Sequence, residues 1–189
     1  MTPNLSALNI TLSWDLFIIV FFATVMTFSF IMGKLETVKI VICTYIAILA
    51  SQGIGNVLVR ITGESSSVLQ TMGLSADIAV LSIAKIAIFV ILLITLMIKS
   101  GIDVHYESDV NFLVRAAYTI LFGFSIAGLI VSTILSYASG RGILDTELPS
   151  VIAGIAGKST LMQIMILNQD LWFALPALLL IGVGVMRNR

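Results

Sequence analysis

Between Asp15 and Lys34 the chain runs LFIIVFFATVMTFSFIMG, eighteen residues without a charge. As a helix this stretch measures about 27 Å, close to the thickness of a bilayer's hydrocarbon core. It is apolar around its whole circumference, whereas a helix at the surface of a soluble protein keeps a polar stripe. The turn Gly33-Lys34-Leu35-Glu36 then leads into a second apolar pass, about 37–58. A connection that short joins antiparallel neighbours. The pattern predicts a transmembrane helical hairpin.

Three further passes follow the same logic: about 76–98, 110–137 and 170–187, with the first two at about 14–33 and 37–58. The third opens with Ser75 as N-cap and Asp77 in its first turn. The fifth, LWFALPALLLIGVGVM, is short and holds Pro176, which kinks a helix. Before it, in an outer segment of about 149–168, Leu161, Met162, Met165 and Ile166 fall on one helical face. That segment is expected to lie flat on the membrane or against the bundle rather than to span. Pro149 suits the first position of its helix. The fold expected is an all-α polytopic bundle of four to five spans plus an amphipathic helix, in one domain over 1–189.

Composition changes this picture little. Hydrophobic residues make up 59% and charged residues 11%, with a mean hydropathy of +1.12. The net charge is zero, so no global field favours nucleic acid, and the expected surroundings are the lipid bilayer and other membrane subunits or copies of itself. The first 13 residues carry no Lys or Arg and so lack the basic start of a signal peptide. Two glycosylation triplets, at Asn4 and Asn9, are short enough to arise by chance.

Where the charges fall does orient the bundle. Lys34, Lys39, Lys99, Arg115, Arg187 and Arg189 flank one side, and Arg60, Arg141 and Lys158 the other. The positive-inside rule then places the N-terminus outside and the C-terminus inside. Trp14-Asp15 and Asp170-Leu-Trp172 would sit at the outer interface, where indole rings prefer to lie. Each Asp would be favoured by the dipole of its own helix N-terminus.

Candidate chemistry is sparse. Lys85 is the one charge deep in a pass, about 12 Å from Asp77 along the helix. A charge at the centre of a bilayer costs about 2.5–3.5 kcal/mol on insertion scales, so Lys85 should face the bundle interior or water. Gln52 lies at similar depth, with Asn56 one turn nearer the surface. Two readings follow. Lys85 fixes helix register by bonding carbonyls and an amide, which is the simpler one. Alternatively Lys85, Gln52, Asn56 and Asp77 line a polar crevice open to the outer side. Arg115 snorkels to the inner interface.

In the fourth pass Gly123 with Ala127, and Gly128 with Ser132, are small residues four apart, the spacing that lets membrane helices approach closely. The partner helix is either in this chain or in another. Gly154-Ile-Ala-Gly157-Lys158-Ser159-Thr160 resembles a phosphate loop only by chance, because Ile152 stands where the pattern requires glycine. His105 and Cys43 lack companions for metal or nucleophilic chemistry. No cofactor, metal or catalytic site is expected, and the chain is not expected to be an enzyme.

Trp14-Asp15, an apolar pass, Gly33 eighteen residues after the Asp in a charged turn with Glu36, and a second apolar pass together resemble the CvpA (colicin V production protein) family. The later order is similar too: an outer polar loop, a third pass, a charged inner turn, a Gly-bearing fourth pass and a Ser-containing amphipathic stretch at Lys158-Ser-Thr160. The segment Glu107-Ser-Asp109-Val-Asn111 is more acidic than in that family, and the fifth pass is an addition. The resemblance implies a small bacterial inner-membrane protein without catalysis, linked to toxin export and envelope homeostasis. The function expected is a membrane subunit or scaffold of an envelope complex; the alternative is a small transporter or channel-forming oligomer around Lys85.

Overall fold

The computed structural model describes residues 14–64, 78–99, 101, 112–139 and 159–187, and all the elements among them are helical. The expectations placed on Asp77, His105, Glu107, Asp109, Arg141 and 154–158 lie outside the described residues.

The stretch Trp14–Glu64 carries helical hydrogen bonding throughout except at Gly33, where φ is 82° and ψ 178°. We therefore divide it into α1 (residues 14–32) and α2 (residues 34–64). The others are α3 (Ile78–Lys99), α4 (Phe112–Ala138), α5 (Thr160–Leu167) and α6 (Gln169–Arg187). As one straight helix, the apolar 44-residue stretch Asp15–Leu58 would measure about 66 Å, more than twice a hydrocarbon core.

It is not straight, and its packing on α4 shows which way it turns. Gly33 adjoins Arg115 near the start of α4, Ser29 touches Gly123, and Ile18 clusters with Val131 and Leu135. So α1 runs antiparallel to α4. Val38 and Val41 pack with Phe122, while Ser51 meets Tyr137 at 2.7 Å. So α2 runs parallel to α4, and the chain reverses at Gly33. Thr37 stitches the reversal, its hydroxyl donating to Gly33 O at 2.7 Å and Ser29 O at 3.2 Å.

Helix α3 returns along α2: Lys85 lies on Gly55, and Leu93 joins the cluster of Cys43 and Ala47. Lys34, Lys39, Lys99 and Arg115 thereby come to one end of the bundle, in the grouping that their positions in the sequence suggest. Helix α2 continues to Glu64, beyond the expected end at 58.

The interior and exterior are both apolar. Phe17 and Ile31 on α1, Leu49 on α2, Ile83 and Ile98 on α3, Leu113 on α4, Leu167 on α5 and Leu178 on α6 all face outward. Hydroxyls are returned to their own helices: Thr24, Thr27, Thr44, Thr95, Thr119 and Thr133 each donate to the carbonyl four residues back. That satisfies each hydroxyl without needing water. Three described helical stretches are long and apolar enough to cross a membrane, and α5 with α6 qualifies as a fourth although bent by 66°.

Candidate functional site: the Lys85 groove and the helix crossings

Lys85 sits seven residues into α3, half-buried, and its stem lies across Gly55 of α2. A Cβ on Gly55 would stand 2.7 Å from Lys85 Cε and 2.8 Å from Cγ. Gly55 thus provides the groove for the lysine stem, a role that its position alone did not reveal. Gln52 and Asn56 occupy the same face of α2, and Gln52 Nε2 donates to Asn56 Oδ1 at a long 3.4 Å. Gln52 Oε1 is enclosed and has no hydrogen-bond partner among the described residues. Lys85 has no ion-pair partner among them either. Gln52 and Asn56 thus meet each other and the Lys85 stem meets Gly55 between them in sequence, while Asp77 lies outside the described residues.

Ser51, beside Gln52, meets Tyr137 Oη, which also donates to Ile48 O at 3.3 Å with its ring edge-on to Phe89. Towards the hinge the buried side chains are mixed: Cys43, Val41, Val38, Phe122, Ile126 and Val183 lie among the hydroxyls of Thr44, Thr37, Thr119 and Ser125.

Asp15 takes a part that its position at a helix start did not suggest. Its Oδ1 accepts from Ser159 Oγ at 2.5 Å and from the Leu161 N–H at 3.0 Å. Ser159 is the N-cap of α5 and accepts in turn from the Met162 N–H at 3.1 Å. Asp15 thus serves the N-terminus of α5, 144 residues on, and not only its own helix. Ser159, in the false phosphate loop, and the Leu161 N–H just after it meet a carboxylate. Replacing Asp15 by alanine is expected to cost about 0.5–2 kcal/mol of stability, the range for a lost cap. Asp15→Asn, which keeps an acceptor oxygen, should lose less. Thermal unfolding in detergent measures both, and an unchanged midpoint for Asp15→Ala would rule the cap out.

The small residues of α4 are used within the chain. A Cβ on Gly123 would meet Ser29 at 2.9 Å, and one on Gly128 would meet the Trp172 ring at 1.9 Å. Ala127 and Ser132 are buried beside them. Helix α5 likewise turns Met162 and Met165 inward, with Leu161 and Ile166 packed against the same cluster. These surfaces are therefore occupied and do not offer themselves to other subunits.

Trp172 corrects an expectation. It is buried, only 9% exposed, between Gly128, Phe22 and Phe124, with ring centroids 5.9 and 5.4 Å away. Gly128 lies ten residues, about 15 Å, before the end of α4. An indole so enclosed packs as a core residue. The 66° bend between α5 and α6 brings the start of α6 against α4. Ser132 Oγ, Gln169 Nε2 and Trp172 Nε1 stay without partners among the described residues. In α6 Pro176 breaks the carbonyl ladder, and the Tyr45 hydroxyl donates to Phe173 O in that turn, which ties α2 to α6.

At the opposite end, Glu36 lies 4.0 Å from Lys39 and Gly33 makes the reversal. The two motif residues Asp15 and Gly33 thus have architectural duties at opposite ends of α1. Among the described residues no group of three or more His, Cys, Asp or Glu gathers into a metal site. Compared with known proteins, the chain matches no family model, no curated protein and no solved structure.

Proposed function

We propose that this chain is a non-catalytic integral membrane subunit or scaffold of a larger envelope complex, similar in kind to the CvpA family. In this reading the membrane is the bacterial inner membrane, crossed five times by α1, α2, α3, α4 and the bent pair α5–α6. The basic end bearing Lys34, Lys39, Lys99 and Arg115 faces inward and the N-terminus lies outside, as the positive-inside rule requires. What supports the reading is that, between Lys85 and the basic end, the buried hydroxyls of Thr37, Thr44, Thr119 and Ser125 each donate to a carbonyl three or four residues back, among the packed side chains of Val38, Val41, Phe122, Ile126 and Val183. A route for polar solutes needs polar groups free to face it, or water. The resemblance to the CvpA family rests on Asp15, Gly33, Glu36 and the order of the passes.

The test is the mass and composition of the particle extracted in mild detergent. Other chains co-purifying in fixed ratio would support a subunit. A symmetric homo-oligomer without them would favour the second reading, a small transporter or channel. That alternative draws on the half-buried Lys85 and the enclosed Gln52 Oε1. Under the subunit reading, Lys85→Met should leave solute flux in liposomes at the background level of the unmodified protein. A flux that the substitution changes tenfold would instead make the crevice a pathway.

A further inference from the structure

A phenylalanine would fill the place of Tyr45 on α2 as well as the tyrosine does. The half-buried ring packs against both the cluster of Cys43 and Ala47 and the cluster of Val38 and Val41. Packing leaves the hydroxyl unexplained. It donates to Phe173 O, and it is hydrogen-bonded to the backbone of Ala177 as well. Those two residues are four apart, so their backbone groups make one step of the α6 ladder. It is the step beside Pro176.

Pro176 explains why that step needs a partner. It has no N–H for Trp172 O, and its ring crowds that carbonyl, so the helix opens on one side. Pro176 is fully buried, which turns the opened side to protein. A side chain from a neighbouring helix that enters the ladder is one way in which a membrane helix tolerates proline. The two halves of α6 are also held unequally. Before Pro176, Trp172 is wedged on Gly128 of α4. After it, Val183 is the one buried residue among the described side chains, with Leu179 and Leu180 partly covered. Gly182 and Gly184 flank Val183, and a Cβ on either would meet nothing within 4 Å.

We propose that α6 is a two-part helix hinged at Pro176, and that the Tyr45 hydroxyl is the clip that closes the hinge by entering the Phe173–Ala177 step. With the clip in place both halves of α6 stay on the bundle. Without the hydroxyl, the half from Ala177 to Arg187 opens while the half carrying Trp172 stays docked. This inference is independent of whether the chain is a subunit or a transporter.

Hydrogen exchange of the full chain in mild detergent, read by mass spectrometry, tests it. The peptides compared cover residues 177–187 of α6 and, as reference, 119–138 of α4. Tyr45→Phe keeps the ring and removes the hydroxyl. It should speed exchange over 177–187 about tenfold and change the α4 reference by less than about twofold. Pro176→Ala restores the missing N–H and should slow exchange over 177–187 severalfold. In that background, adding Tyr45→Phe should speed exchange by less than about threefold. A tyrosine that only stabilised the fold would be missed equally with or without the proline. Unchanged exchange over 177–187 in Tyr45→Phe, an equal rise in the α4 reference, or the full tenfold rise in the Pro176→Ala background would each overturn the clip. Should Tyr45→Phe fail to fold, Pro176→Ala alone decides, and exchange over 177–187 that does not slow would overturn the hinge.

Discussion

Gly33→Ala is expected to destabilise the protein by about 1–3 kcal/mol, the usual cost of holding a non-glycine residue in a forbidden backbone region. With φ at 82° and ψ at 178°, Gly33 occupies a region that is essentially glycine's alone. Space is not the issue, because the nearest atom to an added methyl is Arg115 Nη2 at an ordinary 3.7 Å. The cost is therefore a backbone cost. Either the strain is borne, or the reversal shifts and the Thr37 hydroxyl loses its two carbonyls, Ser29 O and Gly33 O. Gly53→Ala is the matched control. Gly53 sits in α2, and an added Cβ there would meet nothing within 4 Å. That change should be neutral or stabilising by about 0.5–1 kcal/mol, since alanine favours helix. Thermal midpoints of the two variants in one detergent decide the matter. A Gly33→Ala protein as stable as Gly53→Ala would mean that the reversal does not need this conformation.

The second large effect is expected at Gly128. A methyl there would lie 1.9 Å from Trp172 Cε3 and 2.4 Å from Cζ3. Those atoms belong to a rigid ring wedged against Phe22 and Phe124, so the ring cannot step aside as a flexible chain end would. Overpacking of this kind costs about 1–3 kcal/mol and occasionally more. Trp172→Leu should also destabilise, by leaving a cavity. Together the two changes should cost less than their sum, with a coupling of about 0.5–3 kcal/mol, because the leucine vacates the space that the methyl needs. A double-mutant cycle read by thermal unfolding measures that coupling, and strict additivity would show that α4 and α6 do not meet there.

Much of the fold was legible because membrane helices are announced by length and apolarity alone. The reversal at Gly33 and the two further long apolar helices α3 and α4 are of the kind that the sequence suggests. The grouping of Lys34, Lys39, Lys99 and Arg115 at one end was legible for the same reason. Less legible was everything that depends on which face of a helix meets which neighbour. Gly123 and Gly128 announced close packing, but two glycines look the same whether their partner is α1, α6 or another chain. Gly55 carried no signal, since the stem that it accommodates comes from Lys85 on the next helix. Trp172 beside Asp170 has the pattern of an interfacial pair, yet its ring packs against Gly128, Phe22 and Phe124. Asp15 could not be matched to Ser159 by spacing, because a pairing across 144 residues obeys no local period.

The pairing of Asp15 with Ser159 also bears on how the chain is assembled. Synthesis delivers α1 first, and the residues that occupy its carboxylate and cover Ile18 and Phe22 arrive only with α5 and α6. Until then the slot at Gly128 is open, and the hydrogen bonds of Asp15 to Ser159 and Leu161 cannot form. A ribosome stalled before residue 159 would therefore hold a protein whose first helix is inserted but not yet locked. Helices α5 and α6 act as the latch on α1.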